Sequence, residues 1–158
     1  MTTLYGSIFN TPPHYAIVVP VNTMGVPGAG LAKEAARCCP EWARRYRKAF
    51  SPPGHFKAGE KVALHYIAEC ERPFWVSFPT KTHWRDSTPA SVIDDGLKLL
   101  TNLLAHANPR WRGVPLAVPA LGCGLGGAKW EDIYPLIVKH LGTLDREVLI
   151  FPPLRLIK

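Results

Sequence analysis

Apolar positions along the chain fall into short runs, broken by polar stretches marked with glycine or proline. Six runs have strand length: residues 4–8, 16–21, 62–67, 74–79, 116–118 and 148–151. Several are continuous rather than alternating, a pattern that suits a sheet covered on both faces. Between them lie stretches with helical spacing. The clearest runs from residue 89 to about 106, where Ile93, Leu97, Leu100 and Leu104 recur every three or four positions. Thr88 can cap this helix, Pro89 suits its first turn, and Asn108-Pro109 ends it. A second helix is expected after Gly30, breaking before Pro40, and a third over 41–49. A fourth covers about 132–141, with Pro135 in its first turn, where proline is tolerated. Alternating strands and helices predict an α/β domain with helices on both faces of the sheet.

Length and composition narrow this picture. The chain has 158 residues, enough for one core and too few for two full domains, so a single domain over 1–158 is expected. No apolar run approaches the roughly 20 residues that cross a bilayer, and residues 1–10 resemble no signal peptide. A cytoplasmic, monomeric protein without a membrane partner is the expectation. Cys38, Cys39, Cys70 and Cys123 have neither zinc nor redox spacing, so no metal, no cofactor and no disulfide framework are expected. The net charge of +7 attracts polyanions. Its densest cluster, Arg44, Arg45, Arg47 and Lys48, reads equally as a solvated helix face or a nucleic-acid contact.

Two loops carry the candidate chemistry. After the second apolar run come Asn22-Thr23-Met24-Gly25-Val26-Pro27-Gly28-Ala29-Gly30, three glycines within six residues leading into a helix. Glycine lets backbone N–H groups approach a ligand, and a helix N-terminus adds free donors and a positive dipole end. After the fifth run, Gly122-Cys123-Gly124-Leu125-Gly126-Gly127 holds four glycines in six residues, again before a helix. Such a segment can form an anion-binding nest. Neither loop is a Walker A motif or a dinucleotide fingerprint. In open α/β sheets ligands bind beyond the carboxyl ends of strands. Two glycine-rich loops there suggest a diphosphate held from two sides.

With these motifs in view, the chain resembles the macro domain family. Residues 21–32 resemble the NTxGVxGxGxA loop of the DNA ADP-ribosyl glycohydrolase antitoxins, the DarG type. Residues 79–85, Pro-Thr-Lys-Thr-His-Trp-Arg, resemble the group's PTKxHWR segment, and 121–130 its LGCGxGGxxW loop. The terminal ADP-ribose protein glycohydrolase is a more distant likeness. The resemblance covers residues 4 to about 151. It implies a three-layer α/β/α macro domain with a six-stranded mixed sheet.

The resemblance also implies roles. ADP-ribose is the implied ligand, and the implied activity is its release from a modified macromolecule, thymidine in DNA before acidic protein side chains. A reader that binds without cleaving is the non-enzyme alternative. An ADP-ribosyltransferase toxin is the implied partner. Asn22 would hydrogen-bond the distal ribose, while Gly28 and Gly30 line the diphosphate and Gly122, Gly124, Gly126 and Gly127 cradle it. Ile8, Gly25, Ala29, Thr80, His83, Cys123 and Leu125 complete the expected contacts. Ser7 stands where many macro domains place an aspartate that recognises adenine. Gly126 stands where the more distant relative has a catalytic aspartate.

Lys81 is the catalytic candidate, with Asn22. A neutral amine could attack the anomeric carbon of the distal ribose. Alternatively, an ammonium could stabilise the leaving group. Arg85 is near enough in sequence to tune it. His83 could move a proton or pack beside Lys81. Trp84 could stack on a base, whereas Trp130 suits the core. Cys123 reads as a small loop residue rather than a nucleophile.

Overall fold

The computed structural model describes residues 1–154. In chain order the elements are β1 (Thr2–Thr3), β2 (Ala16–Asn22), α1 (Gly30–Cys38), α2 (Pro40–Ala49), β3 (Ala63–Tyr66), β4 (Phe74–Lys81), α3 (Ala90–Ala105), β5 (Leu116–Val118), α4 (Trp130–Leu141) and β6 (Val148–Ile150). They form one six-stranded sheet in the order β1-β6-β5-β2-β4-β3. All neighbours are parallel except β3, which runs antiparallel to β4 at the edge. This is the expected mixed sheet.

The continuous apolar strands have the predicted physical cause. On β2, Ala16 and Val18 face a core built with Leu97, Leu100, Ile133 and Ile137 of α3 and α4. Ile17 and Val19 face the opposite core with Ala35, Trp42 and Tyr46 of α1 and α2. Alternate residues therefore enter two separate cores, and the strand shows no polar face.

Four expectations need correction. Residues 4–8 form no strand. Gly6 turns the chain at φ +113°, and Ser7 Oγ accepts from Phe9 N–H, capping a 3₁₀ turn over Ile8–Asn10. Thr88 does not cap α3, because Pro89 takes the cap position and the Thr88 hydroxyl is buried without a partner among the described residues. Pro135 lies in the second turn of α4, not the first, since the helix already begins at Trp130. Finally, Cys39 and Cys70 form a disulfide. They are 31 residues apart, and only the fold brings the end of α1 against the segment after β3.

A polar cluster sits inside the second core. The Trp42 indole N–H donates to Ser77 Oγ at 3.1 Å, and His65 Nε2 lies 2.8 Å from the same oxygen. Burial, reinforced by the charges of Arg45 and Lys61, pushes the His65 pKa down to about 4 from its ordinary 6.5. Between those values the unfolded chain binds the extra proton and the folded one does not. His65 therefore contributes full stability above pH 6.5, and that contribution fades as pH falls towards 4. The gap corresponds to about 3 kcal/mol. Melting temperature should fall across this range, and His65→Gln should flatten that part of the profile. An unchanged profile in the variant would remove His65 as its source.

Candidate functional site

Parallel pairing of β6, β5, β2 and β4 puts four carboxyl ends along one edge of the sheet. The segments that follow those ends, with residues 6–9, enclose a cleft of about 1160 Å³. Its lining includes residues that follow β6, β5, β2 and β4.

The β6 end is apolar. Ile8, Phe9, Phe151, Pro152 and Leu154 line an apolar slot there, whose chemistry suits a flat base. Ser7 also lines the cleft, but its hydroxyl already accepts from Phe9 N–H. A single guanidinium holds this segment in place. Arg72 donates to the carbonyls of Thr11 at 2.5 Å, Tyr15 at 3.0 Å, Pro12 at 3.2 Å and Phe9 at 3.5 Å. Arg72→Met should release the segment and weaken binding of the expected ligand, ADP-ribose, by about tenfold, or 1.4 kcal/mol. Calorimetry giving the parent's affinity would show that the clamp does not shape the slot.

The middle of the cleft presents backbone donors from two sides. Gly30, at φ +58°, turns the chain into α1, and Ala29 caps that helix without any side-chain bond. The first N–H groups of α1 are thus open to a ligand, with the positive dipole end behind them. Gly28, Ala29 and Gly30 all line the cleft. Opposite lie Gly122, Cys123, Gly124, Leu125 and Gly126. Two turn bonds, Gly127 N–H to Gly124 O and Ala128 N–H to Gly122 O, fold this loop back on itself. Among the described residues, the N–H groups of Gly124, Leu125 and Gly126 have no acceptor. Cys123 is buried beneath, its Sγ 3.6 Å from the Leu121 carbonyl, which fits a loop residue rather than an exposed nucleophile.

The β4 end is polar. Asn22 and Lys81 are direct partners across β2 and β4, because the register slips by one residue between Val21 and Asn22. Thr80 is the extra residue, and Asn22, Thr80 and Lys81 all line the cleft. Lys81 Nζ donates to the Trp84 carbonyl at 3.2 Å. Asn22 is largely committed to its own loop. Its Oδ1 accepts from Met24 N–H, Val26 N–H and the Tyr46 hydroxyl, and its Nδ2 donates to the Val26 carbonyl. Burial raises the Tyr46 pKa, which keeps this hydroxyl a donor. Asn22 therefore sets the shape of the 22–26 turn and has one further amide hydrogen for a ligand.

Three expected contacts lie off the cleft surface. Gly25 is buried and packs against Arg47 of α2. Gly127 makes the turn bond to Gly124. His83 accepts from Arg85 N–H through Nδ1 and lies tilted against Trp84, with ring centroids 3.9 Å apart. It shapes the segment that presents Trp84, which does line the cleft. Trp130 packs beside the first core, as expected. Sequence reasoning missed the Phe9, Phe151 and Leu154 slot, although Phe-Pro-Pro directly after a strand was a usable signal. Among the described residues there is no cluster of metal-binding side chains and no helix long and apolar enough to cross a membrane.

No family model matches the chain. Solved structures and curated proteins do. The macrodomain of Mycobacterium tuberculosis DarG is 32% identical and superposes with a TM-score of 0.82, covering 96% of this chain and 98% of that one. Thermosipho africanus DarTG, solved in complex with ADP-ribose, is 30% identical with a TM-score of 0.79, covering 98% of this chain and 42% of that one. A curated Mycobacterium tuberculosis protein named DNA ADP-ribosyl glycohydrolase is 34% identical over 140 residues, 87% of this chain, which spans 38% of that protein's length. At 32% identity along nearly the whole of the tuberculosis macrodomain, the chain belongs to the macro domain family and, within it, to the DarG type.

Proposed function

We propose that the chain binds ADP-ribose in this cleft and hydrolyses the glycosidic bond joining it to thymidine in DNA. The observation that carries the reading is the opposed pair of uncommitted donor sets, at the start of α1 and at 124–126, between an apolar slot and the Asn22–Lys81 end. A diphosphate fits the middle, adenine the slot, and the distal ribose the polar end. The relative named DNA ADP-ribosyl glycohydrolase, and the DarTG structure holding ADP-ribose, support the same ligand and the same reaction.

In the reaction, the bond from the distal anomeric carbon to the base breaks, water supplies the hydroxyl at that carbon, and the base leaves with a proton. Lys81 acts at this carbon in one of two forms. A neutral amine adds to it and is later displaced by water, or an ammonium stabilises charge on the departing base. Asn22 orients the ribose. The protein works as a monomer, and an ADP-ribosyltransferase must supply its substrate. The deciding experiment offers ADP-ribosylated single-stranded DNA and ADP-ribosylated protein side by side. Clearance of DNA supports the reading. Clearance of protein alone replaces the substrate class, and clearance of neither leaves a binding module.

A further inference from the structure

We infer that the surface beyond the Lys81 end of the cleft, formed by Arg47, Lys57, Trp84 and Arg85, is the track on which single-stranded DNA lies. This rests on the function proposed above. With the diphosphate in the middle of the cleft, the scissile bond lies at the β4 end, so the macromolecule must continue outward from there. The neighbouring segments are tied together at that end. Thr23 N–H donates to the carbonyls of Lys81 and Thr82 at 3.1 Å, Gly54 N–H donates to Thr23 O at 3.0 Å, and Ala58 N–H donates to Thr82 Oγ1 at 3.1 Å. Arg47 lies against Gly25 in the same loop system.

Arg47, Lys57 and Arg85 are exposed and form no ion pair among the described residues. Their charge is free to meet phosphates. The neighbouring carboxylates of Glu60 and Asp86 make no ion pair with these cations; each accepts a backbone hydrogen bond instead, from Lys57 N–H at 2.6 Å and from His83 N–H at 2.9 Å. Trp84 is 46% exposed and braced by His83. Unpaired cations on the same loop system as an exposed aromatic ring suit a single strand, whose unpaired bases can stack while the backbone follows the charge. A target base must also leave any stack to reach the cleft.

The test compares ADP-ribosylated thymidine nucleoside with the same adduct inside a single-stranded oligonucleotide. For the parent, KM on the oligonucleotide should rise more steeply with salt than KM on the nucleoside adduct, whose only charges are those of its diphosphate. Arg47→Glu with Lys57→Glu should raise the oligonucleotide KM about tenfold, with kcat, nucleoside KM and ADP-ribose affinity near the parent's. If charge reversal disturbs folding, Arg47→Gln with Lys57→Gln should lower the salt slope instead. Fluorescence anisotropy with unmodified single-stranded DNA reads the track without turnover. An oligonucleotide KM no more sensitive to salt than the nucleoside KM, or no salt-sensitive binding of the unmodified strand, overturns the track. Failure of the parent to cleave the nucleoside adduct overturns the function instead.

Discussion

Lys81→Ala is expected to slow ADP-ribose release by about a hundredfold or more while leaving ADP-ribose affinity within roughly tenfold, about 1.4 kcal/mol. The split follows from where binding comes from. In the proposed complex the diphosphate would meet backbone donors of α1 and of 124–126, and the base would meet Phe9, Phe151 and Leu154, all of which are independent of Lys81. Lys81 stands apart from both, at the β4 end beside Asn22. Single-turnover rates and calorimetry on the same variant measure the two quantities. Equal hydrolysis by Lys81→Ala and the parent would end the catalytic assignment. Borohydride added during turnover then separates the two forms of the amine: a nucleophile leaves reduced ADP-ribose on Lys81, while a cation leaves none. Asn22→Ala should differ in kind. It strips the acceptor from three donors around the 22–26 turn, so stability and affinity should fall together.

The second large effect is expected in the other glycine loop. A Cβ on Gly126 would overlap the Thr88 hydroxyl oxygen and come within 2.7 Å of the Gly122 carbonyl. A Cβ on Gly124, a cleft-lining neighbour, meets nothing within 4 Å. Gly126→Ala should therefore push the donor loop out of shape and weaken ADP-ribose by about 1–3 kcal/mol, the usual range for overpacking. Gly124→Ala should bind nearly as the parent does, and Gly124→Glu should lose binding by filling the phosphate space with a negative side chain. Because the Thr88 hydroxyl has no partner among the described residues, Thr88→Ala should be tolerated and should partly rescue Gly126→Ala. Equal affinities for the two alanine variants would mean that the loop shape is not what holds the diphosphate.

Much of this was legible because local pattern encodes local structure. The continuous run 16–21 gave away a doubly covered strand, and paired glycine loops after strand ends gave away the two loops that line the middle of the cleft. What stayed hidden depends on contacts distant in sequence. Nothing near Arg72 announces that it clasps carbonyls about sixty positions earlier. Nothing near Cys39 points to Cys70. The direction of the Asn22 amide depends on Tyr46, which arrives only when α2 packs on the sheet. Residues 4–8 misled because apolar content mimics a strand, while Gly6 and Ser7 enforce a turn.

The one-residue slip between β2 and β4 makes the Asn22–Lys81 end sensitive to length as well as to composition. A bulge sets two residues against one and re-aims the side chains beside it. Here it lets Thr80 and Lys81 both reach the cleft, where an unbroken ladder would send alternate side chains to opposite faces. Removing Thr80 would restore that ladder and could yield a sturdier, inert fold with its lysine still opposite Asn22. A variant that keeps the lysine but loses the insertion would keep the amine and lose its placement. Counting residues between Phe74 and Lys81 is then a better guide to active members than finding the lysine alone.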